Sequence, residues 1–260
     1  MIRSLFSGRT GMTGQQLQLD TIANNLANVN TAGFKKSRTQ FEDLYYQEIR
    51  AMGTQTADGG RVPSGIQVGL GVRPTSVQKI FTQGSVVETG NDLDLAIEGG
   101  GFFKVVRDGL DYFTRAGAFS LDADGNMVTQ NGDRLQPEFT VPAGAVKIDV
   151  NSSGLITAKD AQQQVLATVQ LTLTNFINPG GLRSTGSNLF QETTASGTPI
   201  EANPGSEGMG TIQQRFSEVS NVDVTEELVN MIITQRAYEV NSKSVTTADK
   251  LLEVANTLVR

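Results

Sequence analysis

The chain has 260 residues, a hydrophobic content of 38% and a formal net charge of −6 at pH 7. It contains no cysteine, histidine or tryptophan, which excludes disulfides, thiolate or imidazole metal sites, and Ser–His or Cys–His nucleophilic catalysis. Acidic and basic residues are interspersed, so no nucleic-acid-binding face is expected, and no stretch is apolar over a length that spans a bilayer.

The first predicted element is a helix over residues 3–30. A seven-residue spacing keeps one apolar seam on a helix that wraps a partner, and it is followed here by Leu5, Met12, Leu19 and Leu26. Ile22 and Val29 join the same face on a helical wheel. Roughly opposite lie Asn24, Asn25 and Asn28, which either face solvent or hydrogen-bond a neighbouring helix in an assembly. Gly33 suits the left-handed C′ position after the helix.

Residues 51–65 are small and polar and show no periodicity, which predicts a long loop or extended arm. Loops of this length inside a compact domain are uncommon and tend to be functional or disordered. The alternation of apolar residues from Ile66 to Val72 then predicts one strand.

The middle of the chain is typical of short strands joined by turns. Apolar alternation or short apolar runs predict strands over 93–97, 102–106, 146–150 and 167–173. Turn residues mark hairpins at 108–109, 124–125 and 152–154. Because strands do not alternate with helices, an antiparallel rather than a parallel sheet is expected.

Two motifs resemble functional sites without matching them. Residues 122–126 resemble the start of a calcium loop, but Met127 stands where that loop needs glycine and Asp133 replaces its glutamate, so a plain β-turn is favoured. The glycines at 99–101 precede neither a helix nor a Gly-Lys-Ser/Thr sequence, which favours a close backbone approach or a bulge over a phosphate site. No catalytic residue, cofactor or metal is therefore expected.

A second helix is predicted from about residue 221 to about 258. Asn221 or Asp223 can cap its first turn, where Glu226 and Glu227 complement the helix dipole. The seven-residue spacing recurs at Val224, Met231, Tyr238, Val245, Leu252 and Val259. Residues 228–233 are apolar on nearly every side, which indicates burial against more than one partner.

The expected fold class is α+β, with a mainly antiparallel β central domain and N- and C-terminal α-helices that pair as a coiled coil. The expected domains are the N-terminal helix (1–35), a connecting segment with an extended arm (36–75), the central β domain (76–215) and the C-terminal helix (216–260). The expected assembly interface comprises Leu5, Met12, Leu19, Ile22, Asn24, Asn25, Leu26, Asn28, Val29, Val224, Leu228, Met231, Ile232, Tyr238, Val245 and Leu252.

Three long segments carry a family resemblance. Residues 23–35 read ANNLANVNTAGFK, residues 94–105 read DLAIEGGGFFKV, and residues 220–252 begin SNVDVTEELVNMIITQRAYEVNSK. In this order they resemble the N-terminal, internal and C-terminal signatures of the bacterial flagellar basal-body rod and hook family. The chain length and residues 64–74, SGIQVGLGVRP, are most similar to the distal rod branch of that family.

The resemblance implies a structural axial subunit, not an enzyme, that polymerises into the rigid distal rod, transmits torque from motor to hook and encloses the export channel. The implied partners are copies of itself in a helical homopolymer, proximal rod proteins, the hook protein, basal-body ring proteins and the flagellar type III export apparatus, with no nucleic acid and no membrane insertion. The implied location is the basal body, from the periplasm toward the outer membrane. Because MIRSLFSGRT lacks a long apolar run, export without a cleaved signal peptide is expected. In the family, the segment corresponding to 41–65 is expected to stiffen the rod.

Two alternatives remain open from the sequence. The first is a proximal rod or hook protein of the same family, although a hook protein is expected to carry a larger central insertion. The second is a secreted peptidoglycan-cleaving enzyme with β architecture, which would need a catalytic carboxylate, and no such residue stands out.

Overall fold

A computed structural model describes residues 2–53 and 63–258. The chain divides into two compact units: unit 1 takes residues 1–26, 37–78 and 223–260, and unit 2 takes residues 27–36 and 79–222. The chain therefore passes between the units four times. Val259 of the predicted seam and residues 54–62 of the predicted arm lie outside the described residues.

Unit 1 contains both helices and two pairs of strands. Its elements are α1 (Ile2–Ala27), β1 (Ser37–Asp43), β2 (Tyr46–Arg50), β3 (Ile66–Gly69), β4 (Val72–Lys79) and α2 (Val224–Leu258). β1 pairs with β4, and β2 pairs antiparallel with β3. The Asp223 carboxylate accepts hydrogen bonds from the amides of Thr225 at 2.8 Å and Glu226 at 3.1 Å, so the predicted N-cap of α2 is confirmed.

The predicted end of α1 was wrong by three residues. Helix α1 ends at Ala27 because two successive turns replace its last helical turn. The Thr31 amide donates to the Asn28 carbonyl at 3.1 Å, and the Phe34 amide donates to the Thr31 carbonyl at 3.2 Å. Gly33 does adopt φ +70°, but it lies in the second turn and not at the helix C′ position.

The single strand predicted over 66–72 is in fact two strands, β3 and β4. Gly71 separates them at φ +118°, a left-handed conformation that favours glycine. A Cβ at this position would lie 2.2 Å from Thr10 Oγ1 of α1. The chain therefore changes direction at Gly71 because it passes directly over the helix.

Unit 2 is built from sixteen short strands in its described residues. They are β5 (Val86–Glu88), β6 (Leu95–Glu98), β7 (Phe103–Arg107), β8 (Leu110–Thr114), β9 (Phe119–Leu121), β10 (Met127–Thr129), β11 (Arg134–Gln136), β12 (Lys147–Val150), β13 (Leu155–Lys159), β14 (Val165–Gln170), β15 (Leu173–Asn175), β16 (Arg183–Gly186), β17 (Leu189–Gln191), β18 (Ile200–Ala202), β19 (Thr211–Gln214) and β20 (Phe216–Glu218). A 3₁₀ helix covers Pro179–Gly181.

The strands of unit 2 pair antiparallel, as predicted. The largest sheet has the order β16-β17-β8-β7-β11-β10-β9, a second has the order β12-β13-β14, and three further pairs are β15–β18, β19–β6 and β20–β5. The strand predicted over 167–173 was wrong, because β14 pairs with β13 whereas β15 pairs with β18. The Leu171 amide donates to the Gly154 carbonyl at 2.8 Å, which extends the pairing with β13 by one residue before the chain continues into β15.

Two predicted turns of unit 2 are confirmed. Asp108 and Gly109 adopt φ +53° and +75°, the left-handed pair of a type I′ hairpin between β7 and β8. The Asp122 carboxylate accepts hydrogen bonds from the amides of Asp124 at 2.9 Å and Asn126 at 2.8 Å. The motif that resembles a calcium loop is thus the turn between β9 and β10.

The core of unit 2 lies between these short strands. Phe103, Leu95, Ile97, Ile156 and Leu173 are fully buried in one cluster. A second cluster is mainly aromatic, and its rings make edge-to-face contacts with centroids 4.8–6.0 Å apart. This geometry is the one that aromatic quadrupoles favour.

Candidate assembly interface

Helices α1 and α2 pack against each other in antiparallel directions within unit 1. Two glycines of α1 allow a close approach: a Cβ at Gly8 would lie 2.8 Å from Val245 Cγ2, and one at Gly11 would lie 2.9 Å from Asn241 Nδ2. Asn241 Nδ2 also donates a hydrogen bond to Gln15 Oε1 at 3.0 Å. Later positions on α1 therefore contact earlier positions on α2.

Asn25 fixes the other end of this contact. It is 1% exposed, and its Nδ2 donates to the Ser37 carbonyl at 2.8 Å while its Oδ1 accepts from the Ser37 amide at 2.8 Å. The same Nδ2 donates to Glu227 Oε2 of α2 at 3.3 Å. Asn25 therefore follows neither alternative: it is buried rather than solvent-facing, and these hydrogen-bond partners belong to its own chain.

The predicted α1 residues lie in different environments. Ile22 is buried, as Asn25 is, whereas Asn24 is exposed. The half-buried residues are Leu5, Met12, Leu19, Leu26, Asn28 and Val29, the last two beyond the helix end.

The buried face of α2 lies three positions beyond the predicted seam. We call it the inner seam: Glu227, Thr234, Asn241 and Ala248, again seven residues apart. All except the half-buried Asn241 are less than 7% exposed. The predicted residues border it, with Met231, Val245 and Leu252 half-buried and Val224 and Tyr238 exposed. Small or polar side chains occupy the centre because larger ones would hold the helices apart.

A second apolar face of α2 is exposed in unit 1. We call it the outer stripe, and its members are 51–64% exposed: Val229, Ile233, Val240, Leu251 and Val254. At about 100° per residue they fall within about 60° of one another, roughly 120° around the helix from the inner seam. The predicted residues Leu228 and Ile232 are also exposed and flank it. In the sequence, this face is indicated by the seven-residue spacing from Ile233 to Val240. The continuous apolar run before it is apolar on nearly every side, so it does not show which face the spacing belongs to.

Unit 2 contains a buried ionic cluster that the sequence analysis missed. Lys35, Arg115 and Glu218 are 1%, 4% and 1% exposed. Glu218 Oε1 accepts hydrogen bonds from Lys35 Nζ at 2.6 Å and the Gly84 amide at 2.9 Å, and Oε2 accepts one from Arg115 Nε at 2.8 Å. Lys35 and Glu218 are 183 residues apart, so no local pattern indicates this pair.

The glycine run at 99–101 forms a cradle for Arg115. Its Nη1 donates to the carbonyls of Gly99 at 2.8 Å and Gly101 at 2.7 Å. These glycines adopt φ +111° and +125°, which turns both carbonyls toward the guanidinium. A Cβ at Gly99 would lie 2.9 Å from Gly210 Cα, so the predicted close backbone approach is confirmed. The run binds a cation of the same chain instead of a phosphate.

The charges of this cluster determine its titration. Burial alone would raise the pKa of Glu218, but the charges of Arg115 and Lys35 and their hydrogen bonds outweigh burial and hold that pKa below its ordinary value. Burial lowers the pKa of Lys35, while Glu218 acts in the opposite direction. Lys35 Nζ also donates to the Thr82 carbonyl at 2.8 Å. A buried carboxylate with this many donors is suited to holding distant chain segments together.

Two further findings bear on the kind of site. Among the described residues, no group of three or more histidine, cysteine, aspartate and glutamate side chains could hold a metal ion. No helix in that part of the chain combines the length and apolar character needed to cross a membrane.

Three family models match the chain. They are the flagella basal body rod protein at residues 5–35, the flagellar hook protein FlgE/F/G D1 domain at 96–158, and the flagellar basal body rod FlgEFG protein C-terminal model at 213–258. Together they define a protein of the flagellar rod and hook class.

Comparison with curated proteins narrows the class. The flagellar basal-body rod protein FlgG of Buchnera aphidicola from Acyrthosiphon pisum is 49% identical over 97% of this chain and 98% of the relative. The FlgG proteins of Borreliella burgdorferi and Bacillus subtilis are 44% identical over 100% of both chains and 40% identical over 97% of both chains. The chain belongs to the FlgG family of flagellar basal-body rod proteins. These relatives are structural proteins and not enzymes, so the prediction of a structural rod protein is confirmed.

Proposed function

We propose that this chain polymerises with copies of itself into the distal rod, transmits torque from motor to hook and encloses the export channel. The observation that carries this proposal is the outer stripe of α2, which is apolar and exposed at 229–240 and again at 251–254. It supports an assembled state in which another surface covers the helix.

Covering the outer stripe would contribute favourably to the free energy of assembly. Burial of a fully exposed valine, isoleucine or leucine is worth about 1.5–3 kcal/mol. Because the five side chains are a little over half exposed, full coverage is worth about 4–8 kcal/mol per subunit. Repeated along a polymer, contacts of this strength can carry load.

A copy of the same chain is the occupant that fits best. Ile233, Val240 and Val254 of the outer stripe lie on one seven-residue register, with Thr247 at the position between the last two, and this register has the same period as the inner seam. A helix that supercoils with α1 on one side can therefore meet another helix of the same supercoil on the other. We accordingly assign α1 and α2 to a coiled-coil domain from which the helical homopolymer is built.

The remaining partners follow from membership of the family. Proximal rod proteins and the hook protein would adjoin the two ends of the polymer, and ring proteins would surround it. The subunit would reach the basal body through the flagellar type III export apparatus and span the periplasm toward the outer membrane. The other sequence-based alternatives, a proximal rod or hook protein and a peptidoglycan-cleaving enzyme, have no specific observation in their favour.

Residues 41–65, which include the arm, are the part of the chain to which we assign the stiffness of the rod. Every residue of β2 is exposed, and large apolar side chains cluster there and beside it: Tyr45, Tyr46, Ile49, Met52 and Ile66 are 46–89% exposed. We assign residues 41–65 to bridging adjacent subunits, because such side chains gain free energy when a neighbour covers them.

Ile233→Asp tests the role of the outer stripe. A carboxylate buried without a partner costs several kcal/mol, so we expect no rods in cells that carry only this variant. Because Ile233 is already 60% exposed, the stability of the unassembled chain should fall by only about 1 kcal/mol. Rods are counted by electron microscopy of basal bodies, and stability is measured by urea unfolding.

Gln235→Asp is the matched control. It adds the same charge to the same turn of α2 at an exposed position, but roughly 160° around the helix from Ile233. Rods should form normally with this variant. Straight, normally populated rods with Ile233→Asp would refute the assignment of the outer stripe to assembly.

A further inference from the structure

Three of the four crossings between the units adjoin segments of unit 2 that are hydrogen-bonded to one another. The crossings follow Lys36, precede Lys79 and follow Val222. At these ends the Ile80 amide donates to the Lys36 carbonyl at 2.9 Å. The Lys36 amide donates to Asn221 Oδ1 at 2.7 Å, and Asn221 Nδ2 donates to the Ile80 carbonyl at 2.9 Å. Each of the three segments is therefore hydrogen-bonded to both of the others.

We call Lys36, Ile80 and Asn221 the exit ring. Asn221 is its central member, because one side-chain amide accepts from one segment and donates to another. Its Nδ2 also donates to the Thr82 carbonyl at 3.1 Å and to Thr82 Oγ1 at 2.9 Å. The sequence position of Asn221 suggested a helix cap. In the structure its side chain joins these segments instead.

The buried ionic cluster backs the exit ring one layer deeper. Lys35 precedes Lys36, and Glu218 lies three residues before Asn221. The Lys35 ammonium binds both the Glu218 carboxylate at 2.6 Å and the Thr82 carbonyl at 2.8 Å, so it joins the same three segments a second time. The Gly84 amide adds a hydrogen bond to Glu218 at 2.9 Å.

We propose that the exit ring makes these three segments of unit 2 a single cooperative joint rather than three independent connections. A lone segment can move by itself, whereas three cross-linked segments of unit 2 move together until the ring opens. Load that enters through any one segment is then shared by all three. The use of this joint in transmitting torque rests on the proposed function, but the joint itself does not.

Hydrogen exchange on the full unassembled chain, read by mass spectrometry, tests the joint. Asn221→Ala should accelerate exchange at 33–36, 80–84 and 218–222 together, by about tenfold or more, while β7 in the core stays protected. Asn178→Ala is the matched control, because it removes one amide-to-carbonyl hydrogen bond of unit 2, to Ala195 at 3.0 Å, away from the exits. It should leave the three segments unchanged.

Asn221→Asp separates a joint from local contacts, and it decides the question if Asn221→Ala unfolds β7. Aspartate keeps the acceptor for the Lys36 amide and removes only the donor to Ile80 and Thr82. If the segments form one joint, exchange at Lys36 accelerates together with exchange at 80–84. If only 80–84 and 218–222 accelerate, the joint is refuted. Because exchange is read without polymer, failure of the joint is distinguishable from failure of assembly.

Discussion

Glu218→Gln removes the charge of the buried ionic cluster while keeping the shape of the side chain. It leaves Lys35 and Arg115 buried with a neutral partner, and one of the two acceptor oxygens becomes a donor that faces donors. Breaking a buried ion pair by removing one partner costs about 3–5 kcal/mol. That loss is a large fraction of the about 5–15 kcal/mol that stabilises a typical domain.

Urea unfolding followed by far-ultraviolet circular dichroism measures this loss. With a slope of about 1–3 kcal/mol per molar urea, the midpoint should fall by about 1–5 M. Asp92→Asn is the control, because Asp92 pairs with Arg215 at 2.6 Å but both side chains are 40–48% exposed. A surface pair of this kind is worth about 0–1 kcal/mol.

The double variant Lys35→Met with Glu218→Gln sharpens the result. Removing the stranded ammonium should restore part of the stability, because an apolar side chain of similar length needs no counter-charge. If Glu218→Gln costs no more than Asp92→Asn, or if Lys35→Met restores nothing, the cluster does not hold unit 2 together and the reasoning fails.

Two further predictions concern pH and the arm. The pKa of Glu218 is lowered in the folded chain, so its contribution to the free energy of unfolding is fully present above the ordinary pKa near 4.5 and is lost as the pH falls through the lowered value. The stability difference between wild type and Glu218→Gln, measured from urea midpoints at pH 7 and downward, should therefore shrink in acid. A difference that stays constant with pH would contradict this sign. Deletion of residues 46–62 should give rods that still form but bend, because bridging contacts between subunits are lost; straight, inflexible rods in electron micrographs would refute the stiffening role.

Elements governed by local chemistry could be predicted from the sequence. The cap at Asp223 and the Asp108-Gly109 hairpin depend on residues close in sequence, and both are confirmed. The strands predicted over 66–72 and 167–173 were wrong because apolar alternation continues across a change of pairing partner. β3 pairs with β2 and β4 with β1, and β14 pairs with β13 and β15 with β18. Periodicity carries no information about such partners.

The predicted seam of α2 differs from the inner seam by three positions, for a related reason. A search for large apolar residues finds Val224, Met231 and Tyr238, but close helix contact selects small or polar residues, as Gly8 and Gly11 show on the opposing helix. Large apolar residues then remain available for the other faces of α2. The outer stripe follows from the same preference. Because the small and polar residues of α2 form the contact with α1, its large apolar residues lie on other faces and are exposed in the single chain.

The three segments that carry the family resemblance make several of their hydrogen bonds to distant residues of the same chain. Asn25 binds Glu227, Lys35 binds Glu218, and the glycines at 99–101 bind Arg115. Each contact joins residues that are 14 to 202 positions apart, so the sequence shows the segments but not their pairing. Much of what makes these segments recognisable therefore serves to shape the subunit. Four of the five outer-stripe residues lie in the same C-terminal segment, and they are 51–64% exposed, which suits the assembly role proposed for the stripe.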